Sequence, residues 1–149
     1  VPLCHALGSS HLLGAFLASG ANHAALSAQL KPAAADYAKV FVKVEMAKKA
    51  EAVYAGLWQA IAQSPIAPKP GQTALLVWQA STEELRAGKG DAREFPGGYQ
   101  QAAAELQPGL TFYRFKFVKP GETSGMAFDG LVNLDGRWII VPKPWRVTG

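Results

Sequence analysis

The chain has 149 residues, 49% of them hydrophobic and 17% charged, with a formal net charge of +4 and a pI of about 9.3. At roughly 100–200 residues per domain this is the length of one domain, and the apolar fraction excludes a wholly disordered or collagen-like chain. One cysteine, Cys4, excludes an intramolecular disulfide framework and a multi-cysteine zinc site.

Residues 1–30 contain no Asp, Glu, Lys or Arg, and the first charge is Lys31. The apolar run His11 to Ala18 is too short for a membrane span, which needs about 20 such residues, and a basic start for a signal peptide is missing. Leu12 with Phe16, and Leu13 with Leu17, are spaced for a docked helix. Its lack of charge implies contact with protein on most sides, either its own core or a second copy, so residues 1–30 are a candidate homodimer contact. The basic pI, the absent initiator Met and the signal-like run point to an exported, periplasmic protein.

Beyond Lys31, Tyr37, Val40, Phe41, Val44 and Ala47 recur at three- and four-residue steps, continued by Val53, Tyr54, Leu57, Trp58 and Ile61. This predicts one long helix from about Ala33 to Gln63, with Asp36 favourable in its first turn. Lys48-Lys49 sits between Glu45 and Glu51, a solvated helix face and not the basic patch a nucleic-acid reader concentrates. Pro65, Pro68 and Pro70 make an extended linker. Gln72 to Ala80 reads as a strand, apolar on both faces. Ser81-Thr82-Glu83-Glu84 is a capping box opening a short helix that Gly88 closes. A charged loop follows, then a second short helix bearing Tyr99, Ala102, Ala103 and Leu106.

The last forty residues change period from 3.6 to 2. Strands are expected over Leu110–Val118, Met126–Leu134 and Trp138–Val141, with Asp135-Gly136 as a two-residue hairpin turn. That turn pairs Leu134 with Arg137, Asn133 with Trp138 and Val132 with Ile139. Unbroken alternation then places Phe128, Val132, Leu134, Ile139 and Val141 on one face, and Asp129, Leu131, Trp138 and Ile140 on the other. Helices first and an antiparallel meander afterwards define an α+β protein, divided here into an uncharged helical segment, 1–30, and an α+β domain, 31–149. Over residues 33–149 this element order resembles the cystatin-like or NTF2-like cone, in which a long N-terminal helix packs on a curved antiparallel sheet. The strings Phe95-Pro96-Gly97-Gly98-Tyr99, Phe112-Tyr113-Arg114-Phe115, Asp129-Gly130-Leu131-Val132 and Pro142-Lys143-Pro144-Trp145-Arg146 resemble an uncharacterised bacterial α+β domain family. That likeness brings no activity with it, and NTF2-like families include enzymes, ligand carriers and assembly modules.

No nucleotide, metalloprotease, hydrolase or calcium-loop motif occurs. Cys4, His5, His11 and His23 are metal-ligating types, but without metal-site spacing they assign no metal, and nothing calls for a cofactor. Asp129 is the candidate catalytic residue. A carboxylate on an apolar face has its pKa raised unless paired and can act as a general base. The competing readings are an ion pair with Arg114, Lys116 or Arg146, or a hydrogen-bonded bulge beside Gly130. Arg114 and Lys116 alternate on one strand face and suit an anion; Trp138, Trp145, Arg146 and Tyr99 complete the candidate ligand-binding set. The leading expectation is a non-catalytic domain binding a small molecule or a protein; the alternative is a small NTF2-like lyase, isomerase or hydrolase using Asp129.

Overall fold

The computed structural model describes residues 2–149, with side chains from Gly8 onward. Its centre is an open antiparallel sheet in the spatial order β1-β2-β3-β4, formed by β1 (Ala74–Ser81), β2 (Thr111–Val118), β3 (Gly125–Leu134) and β4 (Arg137–Ile140). The β3–β4 turn is the predicted one. Asp135 and Gly136 both have positive φ, 53° and 92°, and the Gly136 N–H donates to Asn133 Oδ1 at 2.9 Å. Leu134, Asn133 and Val132 pair with Arg137, Trp138 and Ile139, as the sequence requires.

The β2–β3 pairing does not keep simple alternation. Tyr113 lies opposite Leu131, but Phe115 lies opposite Phe128. Arg114 therefore faces two residues, Asp129 and Gly130, a bulge that inserts one residue into β3. Gly130 carries it at φ 83°, and any Cβ there would collide with the Val141 carbonyl. The expected faces are corrected by this bulge. Phe128 joins Phe115 and Phe117, with ring centroids 5.3 and 5.9 Å away, and leaves the face of Val132 and Ile139. Asp129 does not share the face of Trp138 and Ile140.

Helices cover this aromatic face. α1 (Pro2–Leu17) buries Leu13 and Phe16, with Phe16 6.0 Å from Phe117. Its Gly8 lies against the Trp138 ring. α2 (His23–Ala28) follows, and the Leu30 carbonyl accepts from the Ile140 N–H at 3.0 Å. The charge-free segment thus contributes Leu13, Phe16 and Leu30 to the main core.

The expected single helix Ala33–Gln63 is two: α3 (Ala34–Val40) and α4 (Val44–Gln63). Between them Phe41 is extended and bridges Leu106. The Val42 N–H donates to the Glu105 carbonyl at 2.9 Å and the Gln107 N–H to the Val40 carbonyl at 2.8 Å. Val40-Phe41-Val42 is rich in residues that prefer extended backbone, and this pairing satisfies the groups the helix would have used. After the break the chain turns back, so that Tyr37 stacks on Tyr54 at 5.9 Å. Ala50, Tyr54 and Trp58 then form the buried stripe of α4.

The β1–β2 connection carries α5 (Thr82–Ala87), a 3₁₀ turn at Gly90–Glu94, α6 (Gly98–Ala102) and a further 3₁₀ turn at Ala103–Glu105. Ser81 and Glu84 form the expected capping box, and Gly88 ends α5 in the left-handed region. On the face away from α1, Phe112 meets Tyr99 of α6 at 6.3 Å. α7 (Trp145–Thr148) closes the chain.

Gly130→Ala should lower stability by at least about 2 kcal/mol, because strain and collision coincide. Gly56→Ala, in an exposed α4 position with open space around it, should raise stability by about 1 kcal/mol. Urea unfolding of both variants checks the pair; an unchanged midpoint for Gly130→Ala would contradict the bulge.

Candidate functional site

The bulge places Asp129 where β4 leaves the sheet. The Val141 N–H still donates to the Gly130 carbonyl at 2.9 Å, but Pro142 has no N–H to continue the ladder. The Asp129 side chain takes over: Oδ1 accepts from the Lys143 backbone N–H at 2.9 Å and from the Tyr99 hydroxyl at 2.5 Å. Lys143 stands at φ 49° between two prolines, a conformation that persists only when its surroundings hold it. The Asp129 hydrogen bond is one such hold. Asp129 itself is buried.

Tyr99 is fixed from three sides. Its ring packs edge-on against Phe95 at 5.3 Å, Trp145 at 5.5 Å and Phe112 at 6.3 Å. Gly98 permits the Trp145 contact, since a Cβ there would lie 2.5 Å from the indole. Burial, with the Asp129 charge and hydrogen bond adding to it, pushes the Tyr99 phenol well above its ordinary pKa, so it remains a donor. Three of the strings singled out in the sequence, ending at Tyr99, beginning at Asp129 and running from Pro142 to Arg146, therefore meet at one point.

Beside this point lies a cavity of about 550 Å³ between α4 and the sheet. Val53, Leu57 and Ile61 of α4 form one wall, and Met126 and Phe128 of β3 the other. At one end stand Tyr54, Asp129, Lys143 and Arg146. The Tyr54 hydroxyl donates to the Pro142 carbonyl at 2.8 Å, tying α4 to the segment that leaves β4. Burial, reinforced by Tyr37 and Asp129, raises the Tyr54 pKa.

The remaining candidates lie elsewhere. Trp138 packs on Tyr113 at 5.3 Å beneath α1, as core. Arg114 and Lys116 each sit 5.5 Å from the Trp78 ring centre, cation–π contacts on a half-buried sheet surface. Lys116 also donates to the Thr123 carbonyl at 3.1 Å. Neither forms an ion pair with Asp129 among the described residues. Trp145 belongs to the Tyr99 packing and Arg146 to the cavity rim.

The side chains of Cys4 and His5 lie outside the described residues. The His23 ring nitrogen Nε2 is 2.8 Å from the Phe16 carbonyl, and His11 is exposed. Among the described residues no group of three or more His, Cys, Asp or Glu comes together, and no helix is long and apolar enough to cross a membrane. Comparison with family models, characterised proteins and solved structures finds no match to this chain.

Sequence reasoning missed Tyr54, Leu57, Ile61, Met126 and Phe128 as a site. The signal lay in α4, where Tyr54 interrupts an otherwise apolar stripe with a polar tip. For β3, only the bulge reveals that Phe128 and Asp129 border one cavity.

Tyr99→Phe should destabilise the protein by about 1–3 kcal/mol, because a buried carboxylate loses one of its donors; chemical unfolding measures this. Burial also raises Tyr37 and Tyr113 to about 12. A phenol is neutral when protonated, so a raised folded-state pKa means the unfolded chain ionises first. The stability these tyrosines contribute is complete below about pH 10 and is lost as pH rises from there. Tyrosinate absorbance should therefore appear together with unfolding; smooth ionisation of all four tyrosines near pH 10 in the folded protein would contradict the burial.

Proposed function

We propose that this chain is a non-catalytic binding domain of NTF2-like arrangement that takes a small, largely apolar molecule between α4 and the sheet. The observation that carries this reading is the cavity of about 550 Å³. Its size is within the usual range for ligand sites, and its walls are largely apolar with the charged groups gathered at one end. Asp129 supports the reading as frame: its Oδ1 already holds the Tyr99 hydroxyl and the Lys143 N–H, and through Lys143 it holds the rim.

A second reading, a small enzyme with Asp129 as general base, is favoured by one observation. Asp129 is buried, lines the cavity and is paired with no arginine among the described residues. In that case a compound found to bind is turned over, and Asp129→Asn abolishes turnover.

Titration with Nile red, a neutral apolar dye, tests the binding reading. Saturable fluorescence enhancement at one site per chain is expected. Leu57→Trp, which fills the cavity from α4, should weaken binding by about tenfold or more, a loss near 1.4 kcal/mol. Asp129→Asn keeps an oxygen acceptor and should change dye binding by less than about threefold, under 1 kcal/mol. No saturable binding to the folded chain would sink the proposal.

A further inference from the structure

The cavity carries its charged groups at one end only, and Ser64 at the other end is polar but uncharged. Tyr54, Asp129, Lys143 and Arg146 bound the charged end, while Leu57, Ala60, Ile61 and Pro65 continue the wall without a charge. The lining positions on α4 run from Val53 to Ile61, about 12 Å at the helical rise of 1.5 Å per residue, and Ser64 and Pro65 continue beyond the helix end, so the space is extended along the helix. Lys143 and Arg146 are exposed at its edge and form no salt bridge among the described residues. Asp129 is the single acidic residue of the lining. Two cations against one carboxylate, already hydrogen-bonded through Oδ1, leave the polar end positive.

Resting on the binding function proposed above, we infer that the occupant is a single-chain fatty acid, its carboxylate at Arg146 and Lys143 and its alkyl chain laid along α4 toward Pro65. A guanidinium matches a carboxylate in two parallel hydrogen bonds, and the charged head remains in contact with water while the chain is buried. An alkyl chain suits the long uncharged wall, where each further methylene withdrawn from water adds to the affinity. A cationic amphiphile would instead meet two like charges at the rim.

Displacement of Nile red from the full chain by dodecanoate, dodecanol, dodecylammonium and butanoate, at fixed ionic strength and below micelle formation, tests this. Dodecanoate should act at concentrations about tenfold or more below those of dodecanol and dodecylammonium, and butanoate should not displace. In the variant combining Lys143→Gln and Arg146→Gln, the advantage of dodecanoate over dodecanol should disappear, each displacement being referred to that variant's own Nile red affinity. Equal potency of dodecanol and dodecanoate, or a preference for carboxylate that survives the double substitution, overturns the inference and leaves the binding function standing. Failure of Nile red itself to bind overturns both.

Discussion

Where β4 runs into Pro142, the sheet loses the backbone donor that would extend it, and a side chain replaces the ladder. Asp129 can do this because the β3 bulge at Gly130 re-aims it toward the departing strand. The carboxylate then joins three parts of the chain: the bulge, the Pro142–Arg146 segment and, through Tyr99, α6. Tyr54 adds α4 through the Pro142 carbonyl. Breaking a buried charge's hydrogen bonds costs more than an average contact returns, so this junction constrains the rim of the cavity more than any apolar contact nearby.

A comparable device sits at the other end of the sheet. Asp36 is buried in the first turn of α3, where it accepts from the Ala33 N–H at 2.7 Å and pairs with Arg137 of β4. The dipole role expected from sequence is thus joined to a long-range one. Both buried aspartates fasten a helical element to the β3–β4 hairpin. Between them the aromatic face of the sheet packs against α1, and the space beside α4 is left partly unfilled.

Local chemistry was legible where it acts alone. Asp135-Gly136 determines its own turn and thereby the β3–β4 register; Ser81 and Glu84 determine the start of α5. The bulge was not legible as a certainty, because alternation in Phe128-Asp129-Gly130-Leu131 can be read with or without an inserted residue, and the choice is made by the Val141 carbonyl pressing on Gly130. The helix break was hidden for a similar reason. Val40 and Phe41 fit a helical stripe, and only the partner segment at Glu105–Gln107 draws them into extended pairing. Of the candidate site, Asp129 and Arg146 line the cavity and Tyr99 holds Asp129 from behind with Trp145 packed on it, whereas Trp138 is claimed by α1 and Arg114 and Lys116 by Trp78. Residue type suggested all seven; placement depended on contacts far apart in sequence.

The order of the strands has a kinetic meaning. β2, β3 and β4 follow one another through short turns, so their pairing closes small loops and can form early. β1 reaches β2 only across residues 82–110, and α1 reaches the sheet through Phe16 against Phe117. Such separations raise the entropic cost of closure and slow the contacts that depend on them. The meander is therefore the natural nucleus. The charge-free helix closes one of the longest loops in the chain, about a hundred residues from Phe16 to Phe117, so its docking leans on a face that the meander presents.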